Sequence, residues 1–421
     1  MKQYRIFNKR NLLIASCVLF LTAGSNVLAQ SCNKDRKVQA RALSEASYKK
    51  LNDIYEDIGN ELYDSAYADL TKLLDRAGDD YERAIIHQAM GHVSATQEKV
   101  DQAMTHFRTA LDFDVLPNNT QFQLLYQVAQ LHMIAENYEE GLVTLDEWFC
   151  VTPEEQHTTA AYVLKANAHA QLKQYREGLA AIEVAISKDD NPQESWYQLK
   201  LAMHFELEEY ENAGDTLEVM VTRWPDKKQY WNQLSSVYLK LKRDNQALSV
   251  LALAERRGML ETESEFLQLA NLYQYLDIPY KAADTMQKNI TAGNIEASRK
   301  SWEQAANAWY QAQELEKALN AYNQAGQYSD DGKLHLRRAY ILVDYERWDE
   351  ASGALNAALE KGGLKKRDEG NAYLLLGMAQ MRLKSYDAAQ KAFTEARRYD
   401  NSRRAAGEWL GQLEDEKSRA G

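Results

Sequence analysis

Proline is scarce in this chain, which has 5 prolines among 421 residues, while Ala, Leu, Gln, Glu and Tyr are abundant. A proline inside a helix costs about 3 kcal/mol, so a chain with so few of them favours helix throughout. Beyond the N-terminus, no apolar stretch approaches the roughly 20 residues that a membrane-spanning helix needs. The composition therefore predicts a helical protein with no membrane span in its mature part.

Positive charge is also in short supply, with 50 Lys and Arg against 62 Asp and Glu and a net charge of −12. Binding to nucleic acid needs a basic footprint, and a general affinity for anionic lipid needs one as well. The charge therefore argues against both kinds of partner. It suits a protein that avoids self-association, or one whose partners are basic.

Signatures of catalysis are absent from the sequence. It has no glycine-rich phosphate-binding loop, no His-Glu-x-x-His motif and no Gly-x-Ser-x-Gly nucleophile elbow. We therefore predict a protein that is not an enzyme and that uses no cofactor and no metal.

The first 29 residues have the layout of a secretory signal peptide. A basic start precedes an apolar run from Leu12 to about Ala23, and small or aliphatic side chains precede the predicted cut. We predict cleavage after Ala29 and a periplasmic location. An uncleaved anchor is one alternative. A lipoprotein modified at Cys32 is another, but the residues before Cys32 lack the usual Leu.

Loss of this leader removes four basic residues and no acids, which leaves 46 Lys and Arg against 62 Asp and Glu, a net charge of −16. Cys17 leaves with it, whereas Cys32, in a polar N-terminal segment 30–46, and Cys150 remain. In an oxidising compartment these two cysteines could form a disulfide. Two free thiols are the alternative, because sequence does not give the distance between them.

A small residue recurs along the chain at intervals of 33 to 38 residues. It follows Tyr or an acidic residue and precedes an apolar one, as in the Tyr-Glu-Glu-Gly-Leu segment 138–142. Such a period indicates a tandem structural repeat. Nine residues share the phase: Ala103, Gly141, Gly178, Ala213, Ala247, Ala282, Ala318, Ala351 and Ala389.

With this recurring small residue, the chain resembles the tetratricopeptide-repeat family, whose repeat unit has about 34 residues. The resemblance implies an all-α fold, a right-handed superhelical solenoid of antiparallel helix pairs. It covers nine units from about Asp80 to Asn401, after an atypical unit around Leu51 to Ala77. One unit matches the family spacing with Trp302, Ala305, Ala306, Trp309, Ala318, Tyr322 and Ala325.

The same resemblance sets the expected domain limits. The solenoid of about ten units occupies 47–402, and 403–421 forms a C-terminal capping helix and tail. Small residues on both helices of a pair let their axes approach, and the prolines fall in the connections. His132, His169 and His204 recur at one place in successive units. Stacked units lie on the order of 10 Å apart, too far for one zinc ion, so we predict packing roles for these histidines.

In this family, the exposed positions of each first helix line the concave surface. Amides there can meet the backbone of an extended peptide, and aromatic rings supply contact area at low entropy cost. The alternative is a merely solvated face. The predicted peptide-binding residues are Tyr126, Gln130, Asn167, Gln198, Asn232, Asn271, Gln304, Asn307, Tyr310, Lys333, Arg337 and Tyr340.

Three of these residues match part of a carboxylate-binding arrangement known in the family. Asn271, Lys333 and Arg337 occupy three of its five places, Gln304 replaces an Asn, and Leu267 replaces a Lys. Lys333 and Arg337 are four residues apart and present their charges on one helix face. A C-terminal or acidic peptide is one interpretation, and two solvated bases beside polar neighbours are the other.

A narrower resemblance rests on export, acidity and the Trp-Phe-Cys-Val-Thr-Pro segment 148–153. It is similar to periplasmic repeat proteins that accompany TonB-ExbB-ExbD systems in Gram-negative bacteria. This implies an adaptor that holds envelope-protein segments and supports TonB-dependent nutrient uptake. The alternatives are a scaffold for exopolysaccharide export or outer-membrane assembly and, from another class, a glycan-processing enzyme.

Overall fold

The computed structural model describes residues 36–38 and 41–420. These residues form 21 α-helices and one short 3-10 helix, Glu154–Gln156, and no β-strand occurs among them. The α-helices are α1 Glu45–Gly59, α2 Tyr63–Leu74, α3 Asp80–Thr96, α4 Val100–Asp112, α5 Asn118–Ile134, α6 Tyr138–Val151, α7 Thr159–Gln171, α8 Tyr175–Ser187, α9 Glu194–Glu206, α10 Tyr210–Arg223, α11 Lys228–Lys240, α12 Asp244–Arg256, α13 Glu263–Tyr275, α14 Pro279–Ala292, α15 Arg299–Gln311, α16 Leu315–Gln327, α17 Lys333–Asp344, α18 Trp348–Lys361, α19 Lys366–Arg382, α20 Tyr386–Ala396 and α21 Arg403–Ala420.

The helices follow one another as pairs, which confirms the predicted all-α repeat. The nine predicted units correspond to the successive pairs from α3 to α20, and the atypical unit corresponds to α1 and α2. The chain divides into two compact units, one up to Met203 and one from His204 onwards. Within each unit, a helix packs mainly against its neighbours along the chain. We call the odd-numbered helices from α1 to α19 first helices and the even-numbered ones second helices.

Glycine permits the close packing of the two helices in several pairs. A Cβ atom built on Gly91 of α3 would lie 2.3 Å from the ring of Phe107 in α4. Gly377 of α19 repeats the arrangement, with a Cβ atom 2.4 Å from the ring of Phe393 in α20. Each phenylalanine stands four residues after the recurring small residue of its helix, Ala103 or Ala389. The small residues therefore make room for a buried ring as well as for the neighbouring backbone.

The turn inside each pair contains a residue in the left-handed conformation. In all ten pairs this residue is not glycine, and its φ lies between 54° and 62°. Such a conformation is uncommon outside glycine, because Cβ crowds the backbone. The ten residues are Glu61, Glu98, Glu136, Lys173, Glu208, Lys242, Asp277, Gln313, Glu346 and Lys384.

The prolines lie where they were predicted. Pro117 precedes α5, Pro153 precedes the short 3-10 helix, and Pro192 and Pro225 lie in the connections between pairs. Pro279 is the first residue of α14, a position whose N–H has no partner in a helix anyway.

The described N-terminal residues contact the turn between α4 and α5. The guanidinium Nε of Arg36 lies 2.6 Å from Asp114, and its Nη1 donates to the side-chain oxygen of Asn118 at 2.9 Å. Asn118 in turn donates to the backbone oxygen of Arg36 at 2.7 Å. The Arg36 side chain is 9% exposed, so the segment is held against the first compact unit.

At the other end, α21 packs on the last pair. Trp409 stacks on Phe393 with ring centroids 5.9 Å apart, and Leu413 is buried beside Met381 and Ala389. The helix spans Arg403–Ala420 and lies within the segment 403–421 for which a capping helix and tail were expected. Among the described helices, none is both long enough and apolar enough to cross a membrane.

Candidate binding groove

The twelve predicted peptide-binding residues all lie on first helices, and none is buried. In the first compact unit they are carried by α5, α7 and α9, and in the second by α11, α13, α15 and α17. We call this set the first-helix row. Four of its members are half-buried: Tyr126, Asn232, Gln304 and Asn307. The opposite face of each first helix holds the small and apolar residues of the core, which leaves the row accessible to a ligand.

Asn232 joins two successive pairs through a carboxylate. Its amide donates to Glu265 of α13 at 3.2 Å, and Lys228 Nζ lies 3.0 Å from the same carboxylate. Glu265 also accepts backbone N–H bonds from Glu261 and Thr262. Burial alone would raise its pKa, but these donors outweigh burial and lower the pKa of Glu265 to about 2. The carboxylate is therefore ionised and fixed at the start of α13.

Amides of α13 and α15, both in the row and beside it, are partly engaged with neighbouring helices. Asn307 accepts a hydrogen bond of 2.6 Å from the Tyr322 hydroxyl, and Gln274 donates to Gln311 at 2.5 Å. Burial raises the pKa of Tyr322, which keeps its hydroxyl a donor. These contacts hold the amides in place and leave their remaining polar groups for a ligand.

The two cations of the proposed carboxylate site each have a partner within the chain. Lys333 Nζ lies 2.6 Å from Asp331, and Arg337 lies 3.7 Å from Glu303 and over the ring of Tyr322. The hydrogen bond from Lys333 lowers the pKa of Asp331. A ligand carboxylate would have to compete with both internal acids. A carboxylate site at these residues stays a prediction, with a lower expected affinity.

A groove beside α13 was not predicted from the sequence. It has a volume of about 910 Å³ and lies on the accessible side of α11 and α13. We call it the α13 groove. Its lining consists of Leu239, Asp244, Glu263, Ser264, Leu267, Gln268, Asn271, Leu272 and Tyr275. The sequence predicted Asn271 as a binding residue, whereas Leu267 was noted only because it replaces a Lys of the carboxylate-binding arrangement. A single apolar residue on a polar helix face does not by itself indicate a groove.

Aromatic side chains surround Cys150 in the first compact unit. Phe149 lies 4.7 Å from Tyr162 and 4.9 Å from His157, measured between ring centroids. Cys150 is disulfide-bonded. Cys17 and Cys32 lie outside the described residues, so the Cys32–Cys150 pairing stays a prediction.

Of the three recurring histidines, His169 and His204 have hydrogen-bonding partners, whereas the Nδ1 atom of His132 is buried without one in the part of the chain that the structure describes. His169 Nδ1 lies 2.7 Å from Gln174, and His204 Nδ1 lies 3.0 Å from Glu209. The described residues contain no group of three or more His, Cys, Asp and Glu side chains that could hold a metal ion.

One histidine contact was missed by sequence reasoning. His87 of α3 and His106 of α4 approach to 3.1 Å between their Nδ1 atoms, so one nitrogen donates and the other accepts. The Tyr67 hydroxyl lies 2.7 Å from His106 Nε2 and accepts from Gln102. Burial lowers the pKa of both histidines, and the charge of His87 lowers that of His106 further. Burial therefore favours the neutral form of both rings.

No protein-family model matches the chain. Several solved structures resemble it at low identity. A tetratricopeptide repeat protein from Parabacteroides merdae is 12% identical, with a TM-score of 0.37 over 63% of this chain and 99% of that one. The TPR2AB domain of yeast Sti1, in a complex with pHSP90, is 17% identical, with a TM-score of 0.30 over 61% of this chain and 98% of that one.

MamA is 15% identical, with a TM-score of 0.28 over 44% of this chain and 97% of that one. At these TM-scores the likeness carries no argument about function. The fold is shown by the helix pairs themselves, which define a helical-repeat protein whose first helices expose polar and aromatic side chains within each compact unit.

Proposed function

We propose that this chain is an exported adaptor that binds segments of envelope proteins along the first-helix row and catalyses no reaction. The observation that carries the proposal is the row itself, in which amide and tyrosine side chains stay accessible on successive first helices. An ordinary solvated face carries more Lys and Glu. Amides offer a donor and an acceptor to a peptide backbone, and tyrosine offers a rigid ring with a polar end.

Two observations support export to the periplasm. The N-terminus has the layout of a signal peptide that ends at Ala29. Cys150 is disulfide-bonded, and disulfides persist mainly in oxidising compartments.

The partners we propose are components of a TonB-ExbB-ExbD system, and the process is TonB-dependent nutrient uptake. The proposal rests on the resemblance around segment 148–153 and on the net charge of −16 that follows removal of the leader. An acidic protein attracts a basic segment over a distance of about one Debye length, roughly 8–10 Å at physiological salt.

Deletion of the gene tests this role. Growth on a chelated nutrient should fall, while growth on the free nutrient should not, because only the first depends on energised uptake. Complementation with the full chain should restore growth. Equal growth of the deletion strain and its parent on the chelated nutrient would contradict the TonB assignment.

A further inference from the structure

The α13 groove combines an apolar floor with an acid at each end. Leu239, Leu267 and Leu272 supply the floor, and Asn271 lies among them. Tyr275, the last residue of the helix, is 73% exposed and adds an aromatic ring to the lining. Burying aliphatic groups on such a floor is favourable by roughly 25 cal/mol per Å², so the groove favours an apolar side chain.

The two carboxylates mark opposite ends of the groove. Glu263 begins α13 and Tyr275 ends it, so the groove extends along twelve residues, or about 18 Å. Successive first helices run in the same direction, and Asp244 follows the end of α11. Asp244 therefore belongs to the Tyr275 end.

Both carboxylates are available to a ligand. Among the described residues, neither Asp244 nor Glu263 has an ion-pair partner. Each stands at the first position of its helix, where a negative charge also interacts favourably with the helix dipole. The nearby Lys240 is directed away from the groove, with its Nζ 5.1 Å from the ring centroid of Tyr210.

We propose that the α13 groove binds an extended peptide segment in which aliphatic side chains lie between two basic residues. An extended chain advances about 3.3 Å per residue and alternates its side chains between two faces, so bases six residues apart span the two acids and face the groove together with the aliphatic side chains between them. The aliphatic side chains contact Leu267 and its neighbours, and the Asn271 amide pairs with the peptide backbone. This inference rests on the proposed function, because it names the chemistry of a partner at one part of the row.

Other ligands fit the groove less well. The acids at both ends repel an anionic lipid headgroup, and the leucine floor offers no hydrogen bonds to a sugar. A C-terminal carboxylate would meet Asp244 or Glu263 rather than a cation. A peptide with internal bases matches both the charge and the apolar floor.

A binding titration tests the inference directly. The probe is fluorescein-labelled Lys-Ser-Leu-Ser-Leu-Ser-Lys with a C-terminal amide, which presents both Lys and both Leu on one face when extended. Its binding to the full mature chain is measured by fluorescence anisotropy. Two matched peptides replace either both Leu by Ser or both Lys by Glu. We expect saturable binding of the parent peptide below about 1 mM and at least about ten-fold weaker binding of each control peptide. Absence of saturation, or equal binding of the three peptides, would overturn the inference.

Variants assign the binding to this groove. Leu267→Asn should weaken the parent peptide about ten-fold through loss of apolar contact. The double variant Asp244→Asn with Glu263→Gln should weaken it about three- to ten-fold, and the loss should shrink at high salt. Leu253→Asn is the matched control, since Leu253 is an exposed leucine of α12 outside the groove lining. Equal losses in Leu267→Asn and Leu253→Asn would also overturn the inference.

The outcome is separable from that of the uptake proposal. If the deletion strain grows poorly on the chelated nutrient but the chain does not bind the peptide, only the ligand proposed for the α13 groove is wrong. Peptide binding without a growth defect removes the TonB assignment and leaves the groove as a binding site.

Discussion

Asn232 of α11 donates a hydrogen bond of 3.2 Å to Glu265 of α13, so a residue of the first-helix row links one helix pair to the next. The same carboxylate forms a capping box with Thr262, in which each side chain bonds to the other residue's backbone N–H. One ionised carboxylate thus holds a side chain of the accessible face and also caps the next first helix.

The ionised carboxylate of Glu265 predicts that the protein loses stability in acid. The folded-state pKa of Glu265 is about 2, below the value of about 4.3 expected in the unfolded chain. Its contribution is therefore fully present above pH 4.3 and is lost as the pH falls towards 2. After allowance for solvent screening, we expect ionised Glu265 to contribute about 1–2 kcal/mol to the free energy of unfolding.

The measurement is urea unfolding of the parent and of Glu265→Gln between pH 6 and pH 3. The parent should be the more stable at pH 6, and the two should converge at low pH. Glu360→Gln, which removes an exposed carboxylate of α18, should show no such convergence. A constant difference between parent and Glu265→Gln across the pH range would contradict this interpretation.

Two glycine-to-alanine substitutions should have opposite effects on stability, because Gly377 is closely packed and Gly353 is not. Gly377→Ala places a Cβ atom 2.4 Å from the Phe393 ring, and the forced shift should destabilise the chain by about 1–3 kcal/mol. Gly353→Ala, inside α18, meets no atom within 4 Å and should stabilise by about 0.5–1 kcal/mol through helix propensity. Thermal melts of the two variants check this, and an unchanged melting temperature in Gly377→Ala would count against the packing.

The His87–His106 pair predicts a second pH effect, nearer neutrality. Because burial lowers both folded-state pKa values below about 6.5, the unfolded chain binds protons that the folded pair resists. Stability is therefore greatest above pH 6.5 and falls as the pH drops below it. Between pH 7.5 and pH 5.5 the parent should lose part of its free energy of unfolding through this pair. After allowance for screening, the loss in His106→Gln should be smaller by roughly 0.5–1 kcal/mol.

Melts at the two pH values measure this difference. His169→Gln is the control, since His169 bonds to Gln174 and approaches no other histidine in the described contacts. A pH response in His106→Gln equal to that of the parent would exclude the pair as its source.

We predict a disulfide between Cys32 and Cys150. Peptide mapping of the mature chain without reductant should recover Cys150 linked to Cys32, and reduction should release both. Removal of the link in Cys150→Ala should destabilise the first compact unit by about 2–4 kcal/mol, because a cross-link restricts the unfolded chain. Recovery of two alkylated thiols from the unreduced protein would contradict it.

The sequence was enough to predict the helix pairs, because the recurring small residue sets a phase that holds from Ala103 to Ala389. It also placed the first-helix row, since accessibility follows from that phase. It could not relate His87 to His106, which meet only when two helices fold back on each other. Nor could it reveal the α13 groove, whose leucines come from two helices of different pairs.

The turns show another limit of sequence reasoning. The left-handed residue in each pair is Glu, Lys, Asp or Gln, none of which signals such a conformation as glycine would. The backbone bonds of the pair fix the turn instead, as where Asn137 N–H donates to the carbonyl oxygen of His132 at 2.9 Å.

The central claim is that the first-helix row is the surface that holds partners. Tyr310 belongs to the row and is 43% exposed, and Tyr328, which follows α16, is 51% exposed and lies outside it. Each tyrosine is replaced in turn by a photo-reactive benzoylphenylalanine, and cells are irradiated. The account predicts a specific adduct with an envelope protein from position 310 and none from position 328. Equal adducts from both positions, or an adduct from position 328 alone, would contradict it.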